Sequence, residues 1–228
     1  LLCAAALLSA APLRLAENGK TTYKIVVPAK ATAVDKFAAK ELQYFLKQIT
    51  GADFAIVDSA KSPAIFIGDA AGKKLADQGN VIETRGKDLY LYGGGLHGTL
   101  WAVYELIENQ FGCMFFNAHG ELFIPKQKTL TLKEMKKRTV YSFPARSIMT
   151  WFYTDKRTMS LSLYRNRQNI LLHGINHPRY PEKTPGIVTR FETFVGEHSF
   201  SMLIPSGLKK QSSWISHNAA LPFLRNKQ

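Results

Sequence analysis

The segment from Thr32 to Gly51 constrains the fold more than any other part of the sequence. Asp35 stands three residues after Thr32, which is the capping-box spacing that begins an α-helix. Gly51 follows the last turn, where a residue in the left-handed conformation commonly ends a helix. The apolar residues between these ends recur at spacings of three and four, namely Val34, Phe37, Ala38, Leu42, Phe45, Leu46 and Ile49. The pattern predicts an amphipathic helix with one face buried in a core.

Short apolar segments with strand character surround this helix and a second helical segment. The predicted strands are residues 23–27, 53–57, 64–68, 80–85, 89–92 and 113–116, and the second helix covers residues 98–109. A turn at Gly86, Lys87 and Asp88 separates two of these strands, which predicts a hairpin. Because strands and helices alternate but hairpins interrupt the order, we predict an α+β fold with a mixed β-sheet and helices on one face.

The first sixteen residues form an apolar run that ends in small residues. Such a run is typical of the hydrophobic and cleavage regions of a secretory signal peptide. We therefore expect residues 1–16 to stay outside the fold and the mature chain to be secreted or periplasmic. The run is shorter than the roughly 20 apolar residues of a membrane span, so we expect no membrane association apart from the export signal. Lipid anchoring at Cys3 is the alternative.

Cysteine usage limits the chemistry of the mature chain. Once the signal is removed, only Cys113 remains. An internal disulfide or a cysteine zinc site needs more than one cysteine, so both are excluded.

The chain carries a formal net charge of +13, which raises the question of nucleic-acid binding. The excess is concentrated, however, in the block K-Q-K-T-L-T-L-K-E-M-K-K-R at residues 126–138 and in a C-terminal part that has no Asp or Glu after Glu197. A nucleic-acid surface would instead interleave basic residues with exposed aromatic ones. We therefore expect no nucleic-acid partner, and we interpret residues 126–141 as a last edge strand and a polar linker.

Gly93, Gly95 and Gly98 form a G-x-G-x-x-G pattern between a predicted strand and a predicted helix. This is the context of a dinucleotide fingerprint, in which backbone amides at the start of a helix bind a pyrophosphate. At the end of the next strand, however, Asn117 stands where an acidic residue would bind the ribose hydroxyl. We expect no cofactor and interpret the glycines as requirements of a tight strand-to-helix turn. A dinucleotide-binding protein is the alternative.

His173 and His177 have the spacing of two metal ligands on one helical face. Gly174 and Pro178 disfavour a helix there, because glycine weakens a helix and proline interrupts its hydrogen bonds. The sequence therefore predicts no metal site.

Three segments in a fixed order carry a resemblance to known enzymes. They are E-L-Q-Y-F-L-K-Q-I-T-G at residues 41–51, a short strand that ends in Ile67 and Gly68, and L-Y-L-Y-G-G-G-L-H-G-T-L-W-A-V-Y-E-L-I-E at residues 89–108. This order resembles the small non-catalytic domain that precedes the barrel in bacterial α-glucuronidases and β-hexosaminidases. The resemblance implies such a domain over residues 20–140. It also implies the beginning of a truncated (β/α) barrel over residues 144–228.

The same resemblance implies three residues that contact a sugar. Arg146 corresponds by position to an arginine that contacts the terminal sugar, and its fork of donors suits hydroxyl or carboxylate groups. Trp151 lies near the carboxyl end of the first barrel strand, where barrel active sites are built, and its face can stack on a pyranose ring. His198 lies in a Gly-x-His-Ser-Phe segment that resembles a loop lining the sugar site. The structural alternatives are a surface salt bridge for Arg146, a core position for Trp151 and a packing position for His198.

A glycosidase needs two carboxyl groups placed across the scissile bond. Past residue 143 the carboxylates are Asp155, Glu182, Glu192 and Glu197, and none matches the catalytic acids of the enzymes that the chain resembles. Residues 144–228 are also only about a third of the roughly 250 residues of a complete barrel. The catalytic residues are therefore unknown.

The predicted function is that of an accessory domain plus the beginning of the barrel of a secreted, α-glucuronidase-like glycoside hydrolase acting in polysaccharide breakdown. The expected partner is an oligo- or polysaccharide whose sugar is a uronic acid or an N-acetylhexosamine. We expect the fragment itself to be inactive. A non-catalytic carbohydrate-binding module is a further alternative.

Overall fold

The computed structural model describes residues 11–69, 72, 74–95, 97–116, 120–143, 146 and 156–168. The strands are β1 (Leu13–Ala16), β2 (Lys24–Val26), β3 (Ile56–Val57), β4 (Ala64–Ile67), β5 (Asn80–Arg85), β6 (Asp88–Gly93), β7 (Met114–Phe115), β8 (Leu122–Phe123), β9 (Leu130–Leu132) and β10 (Lys136–Thr139). The helices are α1 (Ala33–Thr50), α2 (Gly98–Asn109) and α3 (Lys156–Arg165). Most of the predicted barrel lies outside the described residues.

A six-stranded mixed sheet in the order β10-β5-β6-β4-β2-β3 forms the centre of the fold. β2, β3, β4 and β6 run parallel, whereas β5 is antiparallel to both of its neighbours. Ile25, Ile65 and Leu89 lie side by side in register and are fully buried. α1 and α2 pack against the sheet and against each other. This arrangement confirms the predicted α+β fold with a mixed sheet and helices on one face, while the beginning of a barrel stays a prediction.

α1 has the ends that its sequence predicts. The Asp35 amide donates to Thr32 Oγ1 at 3.1 Å, and the Thr32 amide donates to Asp35 Oδ2 at 3.1 Å, so both halves of the capping box are present. Gly51 ends the helix at φ 79°, with its amide bonded to the Lys47 carbonyl. Leu42, Phe45 and Leu46 on the predicted face are fully buried. Each such side chain stabilises the fold by about 2 kcal/mol relative to an exposed one.

The folded part of the chain begins at Leu13, four residues earlier than the sequence predicts. β1 pairs antiparallel with β9 through Leu13 and Leu132, and Leu15 is fully buried while Arg14 faces solvent. Leu-Arg-Leu alternates apolar and charged residues with the period of a half-buried strand, although it ends an otherwise continuous apolar run. The expectation that residues 1–16 lie outside the fold is therefore wrong for Leu13–Ala16. The signal peptide prediction for residues 1–10 falls outside the described residues.

The basic segment at 126–141 is more ordered than a linker. It contains two strands, of which β9 pairs with β1 and β10 lies at the edge of the main sheet, as the predicted edge strand should. Lys136 Nζ lies 2.8 Å from Glu83 Oε1 on the neighbouring strand. Lysine on an edge strand discourages pairing with another sheet. Part of the positive block therefore protects the edge of the sheet.

α3 packs on the two earlier helices. Tyr164 is fully buried, with its ring centroid 6.2 Å from that of Trp101. Arg165 donates through Nε and Nη2 to the two carboxylate oxygens of Glu41, at 3.0 and 3.2 Å, and Tyr104 donates to the same carboxylate at 3.0 Å. The Arg165 and Glu41 side chains are each only 10% exposed. The first described helix beyond the predicted boundary thus shares the core of α1 and α2, and the division at residues 140–144 stays a prediction.

No helix among the described residues is long and apolar enough to cross a bilayer.

Candidate functional site

A cleft of about 510 Å³ lies at the carboxyl ends of β4 and β6, beside the first turns of α1 and α2. In sheets with parallel strands, ligands bind in the crevice outside these strand ends. The polar side chains that line the cleft are those of Lys30, Thr32, Asp35, Asp69 and Thr99. Among the described residues this cleft therefore has the position and lining of a small-molecule site.

The two carboxylates of the cleft are already engaged within the protein. Asp35 Oδ2 accepts the Thr32 hydroxyl at 2.7 Å as well as its amide. Asp69 forms an ion pair with Arg85 at 3.8 Å. Gly68 adopts φ +74°, and a Cβ there would lie 3.2 Å from Asp35 Cγ, so the glycine keeps this wall of the cleft open. The cleft offers acceptors for a hydroxylated ligand rather than a cage for a cation.

The described part of the chain holds no group of three or more His, Cys, Asp or Glu side chains that could bind a metal ion. His173 and His177 lie outside that part of the chain, and the absence of a metal site at these two residues stays a prediction.

The glycine-rich turn that borders the cleft is packed too closely for side chains. A Cβ added at Gly93 would overlap the backbone of Gly98, and Gly95 adopts φ +63°. The Gly94 amide donates to the Gly79 carbonyl at 2.8 Å, and the Gly98 amide donates to the Gly94 carbonyl at 3.1 Å. This geometry confirms the glycines as requirements of a tight strand-to-helix turn. The dinucleotide alternative would need backbone amides such as these two, which already bind protein carbonyls.

Arg146 donates hydrogen bonds to three segments of the chain. Its Nε donates to the Arg167 carbonyl at 3.0 Å, its Nη1 to the Phe143 carbonyl at 2.8 Å and its Nη2 to Gln78 Oε1 at 2.7 Å. Its guanidinium carbon lies 4.0 Å from the centre of the Tyr141 ring. Burial lowers the pKa of Arg146 from its usual value. Arg146 is thus fixed in place by the protein, and Trp151 and His198 fall outside the described residues.

Glu105 on α2 anchors the segment that leads to Arg146. Its carboxylate accepts from Tyr141 at 2.7 Å, from Thr139 at 2.8 Å and from Asn80 at 3.1 Å, and Lys137 Nζ lies 3.2 Å away. Burial by itself raises the pKa of Glu105, but the three hydrogen bonds and Lys137 outweigh burial, so the pKa is lowered. The ionised Glu105 carboxylate therefore holds the segment from Thr139 to Tyr141, which follows the edge strand, against α2.

Sequence reasoning missed Gln78, which is the side-chain partner of Arg146. Gln78 is 3% exposed and adopts φ +63°, a conformation that few residues other than glycine take. The turn residues Asp77 and Gly79 beside it were a signal for a loop at this point. These turn residues do not indicate that Gln78 contacts Arg146, which is 68 residues away in the sequence.

No protein-family model matches the chain, and no curated protein matches it. Among solved structures, a family GH115 4-O-methyl-α-glucuronidase with specificity for decorated arabinogalactans is 18% identical, with a TM-score of 0.52 over 67% of this chain and 25% of that chain. A mutant Streptomyces plicatus β-hexosaminidase in complex with its product GlcNAc is 13% identical, with a TM-score of 0.46 over 70% of this chain and 30% of that chain. A GH138 enzyme targeting pectin rhamnogalacturonan II is 22% identical, with a TM-score of 0.31 over 40% and 10% of the respective chains.

These similarities concern the fold. The TM-scores of the β-hexosaminidase and the GH138 enzyme are too low to support a conclusion about the fold. The glucuronidase has the higher TM-score, and its match covers two thirds of this chain. The chain spans a quarter of the length of that glucuronidase. It therefore shares its fold with one part of a 4-O-methyl-α-glucuronidase, as the resemblance of the three sequence segments implied.

Proposed function

We propose that this chain is the accessory N-terminal region, together with the beginning of the barrel, of a secreted or periplasmic α-glucuronidase-like glycoside hydrolase that acts in polysaccharide breakdown. The observation that carries the proposal is the fold shared with a 4-O-methyl-α-glucuronidase over 67% of the chain. The proposed partner is an oligo- or polysaccharide, and Arg146, Trp151 and His198 are the proposed sugar contacts.

The titration of two buried carboxylates, Glu83 and Glu105, argues against either of them acting as the catalytic acid. A glycosidase needs one carboxylic acid whose pKa is raised, so that it can protonate the leaving oxygen. Hydrogen bonds from Arg85 and Lys136 instead lower the pKa of Glu83 to about 2. The pKa of Glu105 is lowered as well. These two carboxylates stay ionised, and the catalytic acids of the proposed enzyme belong to its barrel.

Assays with aryl α-glucuronides and aryl N-acetylglucosaminides test this proposal. We expect the 228-residue chain to hydrolyse neither substrate, and the parent protein with a complete barrel to hydrolyse one of them. Calorimetric titration of the chain with 4-O-methylglucuronic acid and with GlcNAc separates carbohydrate binding from turnover. Hydrolysis by the 228 residues, lost on Asp155→Asn or Glu197→Gln, would show that the catalytic acids are present in this chain and that the proposed division is wrong.

A further inference from the structure

We propose that the cleft at the carboxyl ends of β2, β4 and β6 is a second carbohydrate site, which binds an uncharged saccharide unit through the Thr99 hydroxyl and the Asp35 carboxylate. The inference goes beyond the proposed function, which assigns no ligand to this cleft. It also does not depend on the barrel, because the described residues that line the cleft all lie between positions 28 and 99.

The order of the strands in the main sheet opens the cleft. The chain leaves β2 through α1 towards β3, whereas it leaves the neighbouring strand β4 in the other direction, towards β5 on the far side of β6. Where the connections of two adjacent parallel strands diverge in this way, a crevice remains at their carboxyl ends, and ligands of open sheets bind there. The volume of about 510 Å³ lies within the range of small-molecule sites and is sufficient for a mono- or disaccharide.

The Thr99 hydroxyl is a buried polar group in the wall of the cleft. Thr99 lies in the first turn of α2, lines the cleft and is only 6% exposed. α2 has no side-chain cap, and no described residue forms a hydrogen bond with the Thr99 hydroxyl. Buried polar groups in proteins are nearly always hydrogen-bonded, so this one calls for a partner in the cleft. A hydroxyl can both donate and accept, which matches the donor and acceptor capacity of a sugar hydroxyl.

Asp35 and Gly68 form another part of the wall. The amide and the hydroxyl of Thr32 both donate to Asp35 Oδ2, at 3.1 and 2.7 Å, so Oδ1 keeps its capacity to accept. A Cβ on Gly68 would lie 3.3 Å from Asp35 Oδ1, so the glycine leaves this oxygen uncovered. The cleft therefore presents a carboxylate oxygen and a hydroxyl, which can each bind a hydroxyl of the same ligand.

The charges of the described residues around the cleft favour an uncharged ligand. Asp35 and Asp69 contribute two negative charges to the lining. Lys30 lines the cleft as well, and Arg85 pairs with Asp69 at 3.8 Å, so two positive charges balance the two negative ones. A balanced set of charges attracts neither an anion nor a cation. The backbone amides of the glycine-rich turn, which a phosphate group would need, already bind protein carbonyls.

NMR titration of the 228-residue chain with xylobiose and with galactobiose tests the inference, with inorganic phosphate as the anionic probe. We expect millimolar binding of at least one disaccharide that shifts the backbone amide resonances of Gly68 and Thr99, and no shift of these resonances with phosphate. The absence of such shifts with both disaccharides would overturn the inference. Shifts with phosphate would overturn it as well, in favour of an anion site at the start of α2. None of these results depends on hydrolysis, so the aryl glycoside assays test the proposed function separately.

Two matched pairs of variants locate the bound disaccharide. Thr99→Val keeps the shape of the side chain but removes its hydroxyl and should weaken binding about tenfold, whereas Thr99→Ser keeps the hydroxyl and should bind within about twofold of the wild type. Gly68→Ala places a methyl group against Asp35 Oδ1 and should also weaken binding about tenfold. Gly86→Ala is its control, because Gly86 has a positive φ as well but a Cβ there meets nothing within 4 Å. Equal affinities within either pair would overturn the inference, and if one variant fails to fold, the other pair decides.

Discussion

α1 and α2 both begin beside the cleft, but different contacts hold the two helix starts in place. α1 begins with a capping box between Thr32 and Asp35, two residues of its own first turn. α2 has no side-chain cap, and its start is held by the packing of Gly93 against Gly98 and of Gly94 against Gly79. The first start depends on residues three apart in the sequence, whereas the second depends on a loop that precedes it. Both starts leave a short pattern in the sequence, but only the pattern of the first names all the residues whose contacts hold it.

The largest expected effect comes from adding one methyl group to the start of α2. Gly93→Ala places a Cβ against the backbone of Gly98, so the turn must move. We expect a loss of about 4 kcal/mol in the free energy of unfolding, measured by urea denaturation. Gly86→Ala is the control, because a Cβ there meets nothing within 4 Å although φ is +60°. That control should cost about 1 kcal/mol, and a loss in Gly93→Ala no larger than that of the control would show that the close packing of Gly93 on Gly98 does not constrain the turn.

The next effect concerns the contact between α3 and the two earlier helices. Arg165→Ala leaves the Glu41 carboxylate, which is 10% exposed, without its bidentate partner. We expect a loss of about 3 kcal/mol in the free energy of unfolding, because a buried charge then lacks compensation. The double variant Arg165→Met with Glu41→Leu should recover most of that loss. A change below about 0.5 kcal/mol in Arg165→Ala would mean that α3 is not packed on the core in solution.

The smallest effect is expected at the start of α1. Thr32→Ala removes the hydroxyl that accepts the Asp35 amide at 3.1 Å. The loss of such a cap costs about 1 kcal/mol. Thr131→Ala, at an exposed position of β9, is the matched control for the loss of a threonine side chain. A cost for Thr32→Ala no larger than that of the control would show that the capping box adds nothing to the stability of α1.

The same contrast explains how much of the structure the sequence could predict. α1, α2 and the β5–β6 hairpin have the predicted bounds to within about two residues, because caps, periodicity and turn residues are local signals. β1 was missed because its partner Leu132 is more than a hundred residues from Leu13, and no local pattern identifies such a pair. For the same reason the contact between Arg165 and Glu41 was not predicted.

Some features of the candidate site could likewise be predicted from the sequence and others could not. The glycine-rich turn and Arg146 were identified from the sequence, the first by its pattern and the second by the resemblance. The hydrogen bond from Arg146 to Gln78 and the hydrogen bond from Tyr141 to Glu105 were not predicted from the sequence. Both are tertiary contacts of residue types that are common on protein surfaces. The cleft forms where the ends of parallel strands from separate parts of the sequence lie side by side, so no local sequence pattern marks it.

Calorimetric titration of the chain with NAD and FAD is the most direct test of the claim that the glycines before α2 serve packing rather than phosphate binding. We expect no heat of binding with either dinucleotide, because the Gly94 and Gly98 amides bind protein carbonyls at 2.8 and 3.1 Å. A micromolar dissociation constant that is abolished by Gly95→Val, in a variant that circular dichroism shows to be folded, would contradict the claim and establish the dinucleotide alternative.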